Sequence, residues 1–197
     1  MAEPAGDLAD RVLAAPPRLG AVRLLTIDGP SGAGKSHLAA LVVDVLHRRG
    51  AHPALVSTDD FATWDDPVSW WPRLTAGVLE PLAAGEPGRY RCTEWTAAGE
   101  PVPGGLVDVP VPGVLVLEGV SSGRRSVRGV TSVLCWLDHA GADARLARAV
   151  ARDGEWSRPH LERWQRFETG WFVVDEPWNT ADVTYSSEWS NQFVGND

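Results

Sequence analysis

Residues 29–36, Gly-Pro-Ser-Gly-Ala-Gly-Lys-Ser, constrain this chain more than any other stretch. They satisfy the spacing G-x-x-x-x-G-K-[ST] at every fixed position. The run before them, AVRLLTIDG (21–29), is apolar and halts at a glycine, which reads as a buried strand. After them, Leu38, Leu41, Val42, Val45 and Leu46 recur at helical spacing, and Gly50 supplies the stop. Strand, glycine-rich turn and helix in that order make a cradle for phosphate. The glycines let successive N–H groups point inward, and the helix adds its positive end. The nucleotide-binding candidates are Gly29, Ser31, Gly32, Ala33, Gly34, Lys35, Ser36 and His37. Lys35 is expected to reach the β- and γ-phosphates of ATP, and the Ser36 hydroxyl a Mg²⁺ ion.

The remaining elements alternate. Residues 7–15 predict a short leading helix that Pro16 and Pro17 end. HPALVSTDDF (52–61) predicts a second strand, VLVLEG (114–119) a third and SVLCWLD (132–138) a fourth. ADVTYS (181–186) predicts the last strand. Helices are expected over 68–84, over 142–153, and over 159–174 with a break near Gly170. RYRCTEW (89–95) and LVDVPV (106–111), joined by the turn region AAGEPVPGG, predict a β-hairpin laid over the main sheet. Strands alternating with crossover helices imply parallel pairing. The expected fold class is α/β: a three-layer sandwich around a sheet of about five parallel strands. We expect one domain over 1–197, with the ligand at the carboxyl ends of the strands.

Composition narrows the partners. The chain has 197 residues and a net charge of −8, which argues against a general affinity for nucleic acid. No run approaches a membrane span, and residues 1–20 do not read as a signal peptide. Cys92 and Cys135 lack disulfide or zinc spacing, as expected of reduced thiols in a cytoplasm.

A phosphate cradle alone leaves kinase, ATPase and GTPase open. Acids at two strand ends help to choose. Asp59 and Asp60 close the second strand, and Glu118 closes the third. Phosphoryl transfer needs a group to orient and deprotonate the attacking hydroxyl, and ligands for the metal. A carboxylate after the second strand suits the first role and Glu118 suits the second, as metal ligand with Ser36. Both could instead be caps or solvated loop acids. Arg145, Arg148 and Arg152 share one face of a predicted helix, with Arg158 following. Guanidinium forks meet the charge of a transferring phosphoryl group, or they pair with Asp143, Asp153 and Glu155. There is no N-K-x-D signature of a switch GTPase.

VSTDDF, then LVLEG, then RLARAVARD resemble the uridine kinase and nicotinamide riboside kinase group of P-loop kinases, over residues 22–186. The resemblance is nearer still to compact, actinobacterial-type proteins labelled uridine kinase. These carry an Asp-Asp…Trp element, a Pro-Leu-Ala…Tyr segment and an acid-Trp pair, here Asp59-Asp60 with Trp64, Pro81 to Tyr90, and Glu94-Trp95. The resemblance implies that Asp59 is the catalytic base, that Glu118 helps to hold Mg²⁺, and that an arginine-rich lid (about 145–160) closes over ATP. Arg148, Arg152 and Arg158 are the lid candidates, the first two also catalytic together with Lys35. The acceptor is expected between Asp59 and the hairpin (about 89–111), against Asp60, Trp64, Tyr90, Arg91, Glu94 and Trp95. Ala62 and Glu94 depart from the group's pattern at this pocket.

The implied activity is transfer of the γ-phosphate of ATP to a hydroxyl of a small polar metabolite, a nucleoside first. Two alternatives stand beside it. One is a kinase of the nucleoside monophosphate, gluconate or shikimate type, for which Arg73, Arg89 and Arg91 offer partial support. The other is a regulatory nucleotide-binding module. The implied ligands are ATP, Mg²⁺ and the acceptor, on a monomer or homodimer.

Overall fold

The apolar run that enters the glycine-rich turn forms strand β1 (Arg23–Asp28), buried along nearly its whole length. The computed structural model describes residues 4–96 and 98–186. The other strands of the main sheet are β2 (Pro53–Ser57), β5 (Val114–Glu118), β6 (Val133–Asp138) and β7 (Val183–Ser186). They are all parallel, in the order β2-β5-β1-β6-β7. β3 (Gly88–Trp95) and β4 (Pro101–Val109) form a separate antiparallel ribbon.

Period-two alternation divides the core between the two faces of the sheet. In β5 the valines Val114 and Val116 pack with α1 (Pro4–Ala14) and α2 (Lys35–Arg48). The leucines Leu115 and Leu117 pack on the opposite side with Phe61, Trp71, Leu74 and Leu82. Each fully buried residue of this size contributes about 1.5–3 kcal/mol relative to exposure. The result is the expected three-layer α/β arrangement. Ser57, Glu118 and the turn after Asp28 lie together at the carboxyl rim, because parallel register pairs Ser57 with Glu118 and Glu118 with Ile27.

Several boundaries differ from the sequence reading. The leading helix starts at Pro4 rather than Asp7. The second strand ends at Ser57, and Thr58–Asp60 form a 3₁₀ turn. The helix expected over 68–84 begins at α3 (Trp71–Leu74), widens to a π turn (Thr75–Leu79) and resumes as α4 (Glu80–Ala83). Pro81 explains the widening, since its ring would strike the carbonyl four residues earlier in a regular helix. A β-carbon at Gly77 would lie 2.8 Å from the Arg89 carbonyl oxygen, so the π turn and β3 touch backbone to backbone.

The hairpin turn is shorter than AAGEPVPGG suggested, because β4 already starts at Pro101. Proline is tolerated there because a two-stranded ribbon has free edges. α5 (Ala142–Asp153) lies as expected. α6 (Arg158–Asp175) runs unbroken through Gly170. That glycine is exposed with open space around it, so it weakens the helix by about 1 kcal/mol without ending it. Among the described residues, no helix is long and apolar enough to cross a membrane.

Candidate functional site

The site grows from the end of β1. Asp28 is fully buried, and its carboxylate accepts N–H bonds from Gly29 (2.7 Å), Ser121 (3.1 Å) and Gly123 (2.9 Å). It thereby ties the glycine-rich turn to the loop after β5. Gly29 and Gly32 both have positive φ and close neighbours. A β-carbon would meet the Leu137 carbonyl oxygen at 2.1 Å from Gly29, and that of Arg145 at 2.8 Å from Gly32. The first glycine lets the turn leave the sheet. The second lets α5 dock on the loop.

Lys35 lies nearly buried at the start of α2, its ammonium 3.0 Å from the Pro30 carbonyl oxygen. Glu118 accepts hydrogen bonds from Ser57 Oγ (2.7 Å) and Ser36 Oγ (3.1 Å). Burial pushes the Glu118 carboxyl above its usual range, against the pull of the Lys35 charge. Ser36 and Glu118 thus form a pair of hard oxygens beside the loop. Such a pair fits Mg²⁺, which takes one or two protein oxygens and completes its shell with phosphate and water. Groups of three or more His, Cys, Asp and Glu suited to a metal are absent among the described residues.

Asp59 stands exposed on the 3₁₀ turn, its N–H held by Ser57 Oγ at 3.2 Å. The next residue is turned inward. Asp60 accepts a short hydrogen bond from Tyr90 OH, and burial pushes its carboxyl up. Tyr90 in turn stacks on Phe61 with centroids 4.6 Å apart.

One cavity of about 850 Å³ gathers most of the expected residues. Its walls include Ser31 through His37, together with Asp59, Asp60 and Glu118. Trp64 and Trp95 also line it, as do Arg148 and Arg152. Arg148 donates to the Gly32 carbonyl (2.7 Å), and Arg152 makes two bonds to Asp153 (2.6 and 2.7 Å).

Five candidates lie outside these walls. Gly29 is pressed against β6. Tyr90 belongs to the core around Phe61. Arg91 donates to the Gly104 carbonyl at 2.7 Å, and Glu94 accepts from the Gly105 N–H at 3.2 Å, so both serve the ribbon itself. A register shift between Arg91 and Thr93 separates Arg91 from Thr93 and Trp95, which reach the cavity, and strand alternation turns Glu94 to the other face. Arg158 pairs with Glu155.

The sequence reading did not single out His139, Leu161 or Trp164, which also line the cavity, nor Glu168 behind it, and it named Asp153 only as a partner for the arginines, which it is for Arg152. Trp164 and Glu168 stand four apart on α6, but their partner Ser31 lies 137 residues away from Glu168, beyond any local pattern.

No family model matches the sequence, and no curated protein matches it. Solved structures do match. A possible uridine kinase from Bacillus stearothermophilus aligns with a TM-score of 0.63 at 18% identity, over 92% of this chain and 97% of its own. A putative fructose transport system kinase from Silicibacter sp. TM1040 aligns with a TM-score of 0.54 at 19% identity, over 94% and 99%. The fold is that of the P-loop kinases.

In this P-loop kinase fold the tip of the β3–β4 hairpin touches Trp64 and Trp156. Trp64 Nε1 donates to the Gly99 carbonyl at 2.9 Å. The Trp156 indole covers Gly99 so closely that a β-carbon there would lie 1.8 Å from the ring. Gly99 also has a φ of 74°. Gly99→Ala therefore costs about 1–2 kcal/mol of backbone strain and displaces the half-exposed indole. Acrylamide quenching of tryptophan emission should rise in this variant, and unchanged quenching would show that Trp156 does not seal the tip.

Proposed function

We propose that this chain acts as a single-domain, Mg²⁺-dependent phosphotransferase that moves the γ-phosphate of ATP to a hydroxyl of an unphosphorylated small polar metabolite, a nucleoside first among candidates. The observation that carries this reading is the shared cavity. It joins a phosphate loop, the Asp59 carboxylate and an indole wall in one space. In the proposed step the acceptor oxygen attacks the γ-phosphorus. Its bond to the bridging oxygen of ADP breaks, and the hydroxyl proton passes to Asp59. Lys35, Arg148 and Arg152 offset the charge that spreads over the transferring group. Mg²⁺, held through Ser36 and Glu118, would neutralise phosphate charge when bound. Free Cys92 and buried Cys135 fit a reducing cytoplasm supplied with ATP.

The three arginines that would hold an acceptor phosphate or carboxylate are engaged elsewhere. Arg73 donates to the Phe61 carbonyl, Arg89 pairs with Asp108, and Arg91 donates to the Gly104 carbonyl. That disfavours the monophosphate, gluconate and shikimate types. The exposed Asp59 beside the phosphate loop disfavours a purely regulatory module.

The test is ADP release from Mg·ATP across a panel of nucleosides, sugars and amino alcohols. One class should release ADP in proportion to phosphorylated product. A flat response over the panel would return weight to the regulatory module. Lys35→Ala should lower nucleotide affinity and turnover together, the latter by about 10²–10³-fold. Unchanged affinity in calorimetry would remove the phosphate cradle from the account.

A further inference from the structure

Glu168 is a buried acid behind the cavity wall that the proposed step does not use. It sits on α6 with 2% of its surface exposed. Its carboxylate accepts the Ser31 N–H (2.9 and 3.2 Å to the two oxygens) and also the Ser31 hydroxyl. The Trp164 indole N–H donates to the same group at 2.7 Å. Ser31 and Trp164 both line the cavity, one in the phosphate loop and the other on α6.

Trp164 continues the contact outward. It meets the edge of Trp64 at 6.2 Å, and Trp64 meets Trp95 of the hairpin at 4.9 Å and stacks on His160 at 4.9 Å. A continuous path thus runs from the phosphate loop through one carboxylate to the aromatic wall. Burial pushes the Glu168 carboxyl above its usual range, and the Lys35 charge and three donors pull against that shift without cancelling it.

Resting on the phosphotransfer reading, we propose that Glu168 is a positioning residue that fastens the acceptor wall to the phosphate loop, so that nucleotide in the loop reorders the wall. Phosphate oxygens entering the loop draw its N–H groups inward. Ser31 then moves relative to Glu168, and the Glu168–Trp164 bond carries the shift to the indoles. Coupling of this kind is reciprocal: an ordered wall favours nucleotide by the same factor. Glutamine would keep one oxygen for these donors, but it carries no charge and would set an N–H₂ group against the Ser31 N–H in place of the second oxygen.

The experiment titrates the full-length protein with Mg²⁺ and a non-hydrolysable ATP analogue. Affinity is read by calorimetry and wall order by tryptophan emission. The unmodified protein should bind with a change in emission. Glu168→Gln should bind about tenfold more weakly and lose most of that change. Trp164→Phe, which keeps a ring in the wall but removes the N–H that Glu168 accepts, should also bind more weakly and lose the change, and it carries the test if Glu168→Gln does not melt cooperatively. An acid that only stabilises the fold would lower the melting temperature and leave the emission response intact. Tight binding with the full emission change in both variants overturns this inference alone. Failure of the unmodified protein to bind the analogue overturns the phosphotransfer reading, and this inference with it.

Discussion

Asp59→Asn should lower turnover by about 10²–10⁴-fold while nucleotide affinity stays close to that of the unmodified protein. The carboxylate is exposed on the 3₁₀ turn, its backbone N–H held by Ser57 Oγ and its side chain on the cavity wall. Asparagine keeps that shape and the turn, so the fold should survive. What it loses is the ability to take a proton from the attacking hydroxyl. The phosphate loop and Lys35 are untouched, so binding should not follow turnover down. Asp60→Asn is the control. Its side chain already serves Tyr90, and its loss should show in stability before it shows in the chemical step. Single-turnover kinetics beside calorimetric binding separates the two. Full activity in Asp59→Asn would remove that residue as the base.

Phe61→Ala should destabilise the protein by about 3–5 kcal/mol. The ring is fully buried between Tyr90 (4.6 Å) and Trp70 (5.4 Å), with the Arg73 guanidinium 5.9 Å above it. No neighbour is free to fill the space, because Tyr90 is tied to Asp60 and Arg73 to the Phe61 carbonyl. The cavity would open directly behind the turn that carries Asp59. Denaturant unfolding should show a lower midpoint at similar slope, and Phe61→Leu should recover most of the loss. A loss below about 1 kcal/mol would mean that the cluster repacks freely.

These two residues, adjacent but for one in sequence, divide the account of what could be read in advance. The pair Asp59-Asp60 could be named because an acid after an apolar strand is a local pattern, and the resemblance implied which of the two is the base. The phosphate loop was legible for the same reason, since eight consecutive residues carry its backbone demands. The parallel sheet followed from alternating strand and helix signals, and five strands were found in parallel pairing. Local signals failed where a single residue was given too much weight. Gly170 does not break α6, because an exposed glycine only weakens a helix held by packing. The prolines of β4 did not postpone the strand, because a ribbon edge needs no N–H there.

The sequence by itself determined the phosphate loop, the strand–helix alternation and the residue types at the strand ends, since each depends on neighbours a few positions apart. Only the tertiary structure decided which side chains share the cavity. Arg91, Glu94, Tyr90 and Arg158 had the right chemistry and turned to other partners. Trp164 and Glu168 carried no local signal and became part of the site or its support. Hydrogen bonds and ring contacts between distant segments exist only once the sheet has brought those segments together, and no spacing along the chain encodes them.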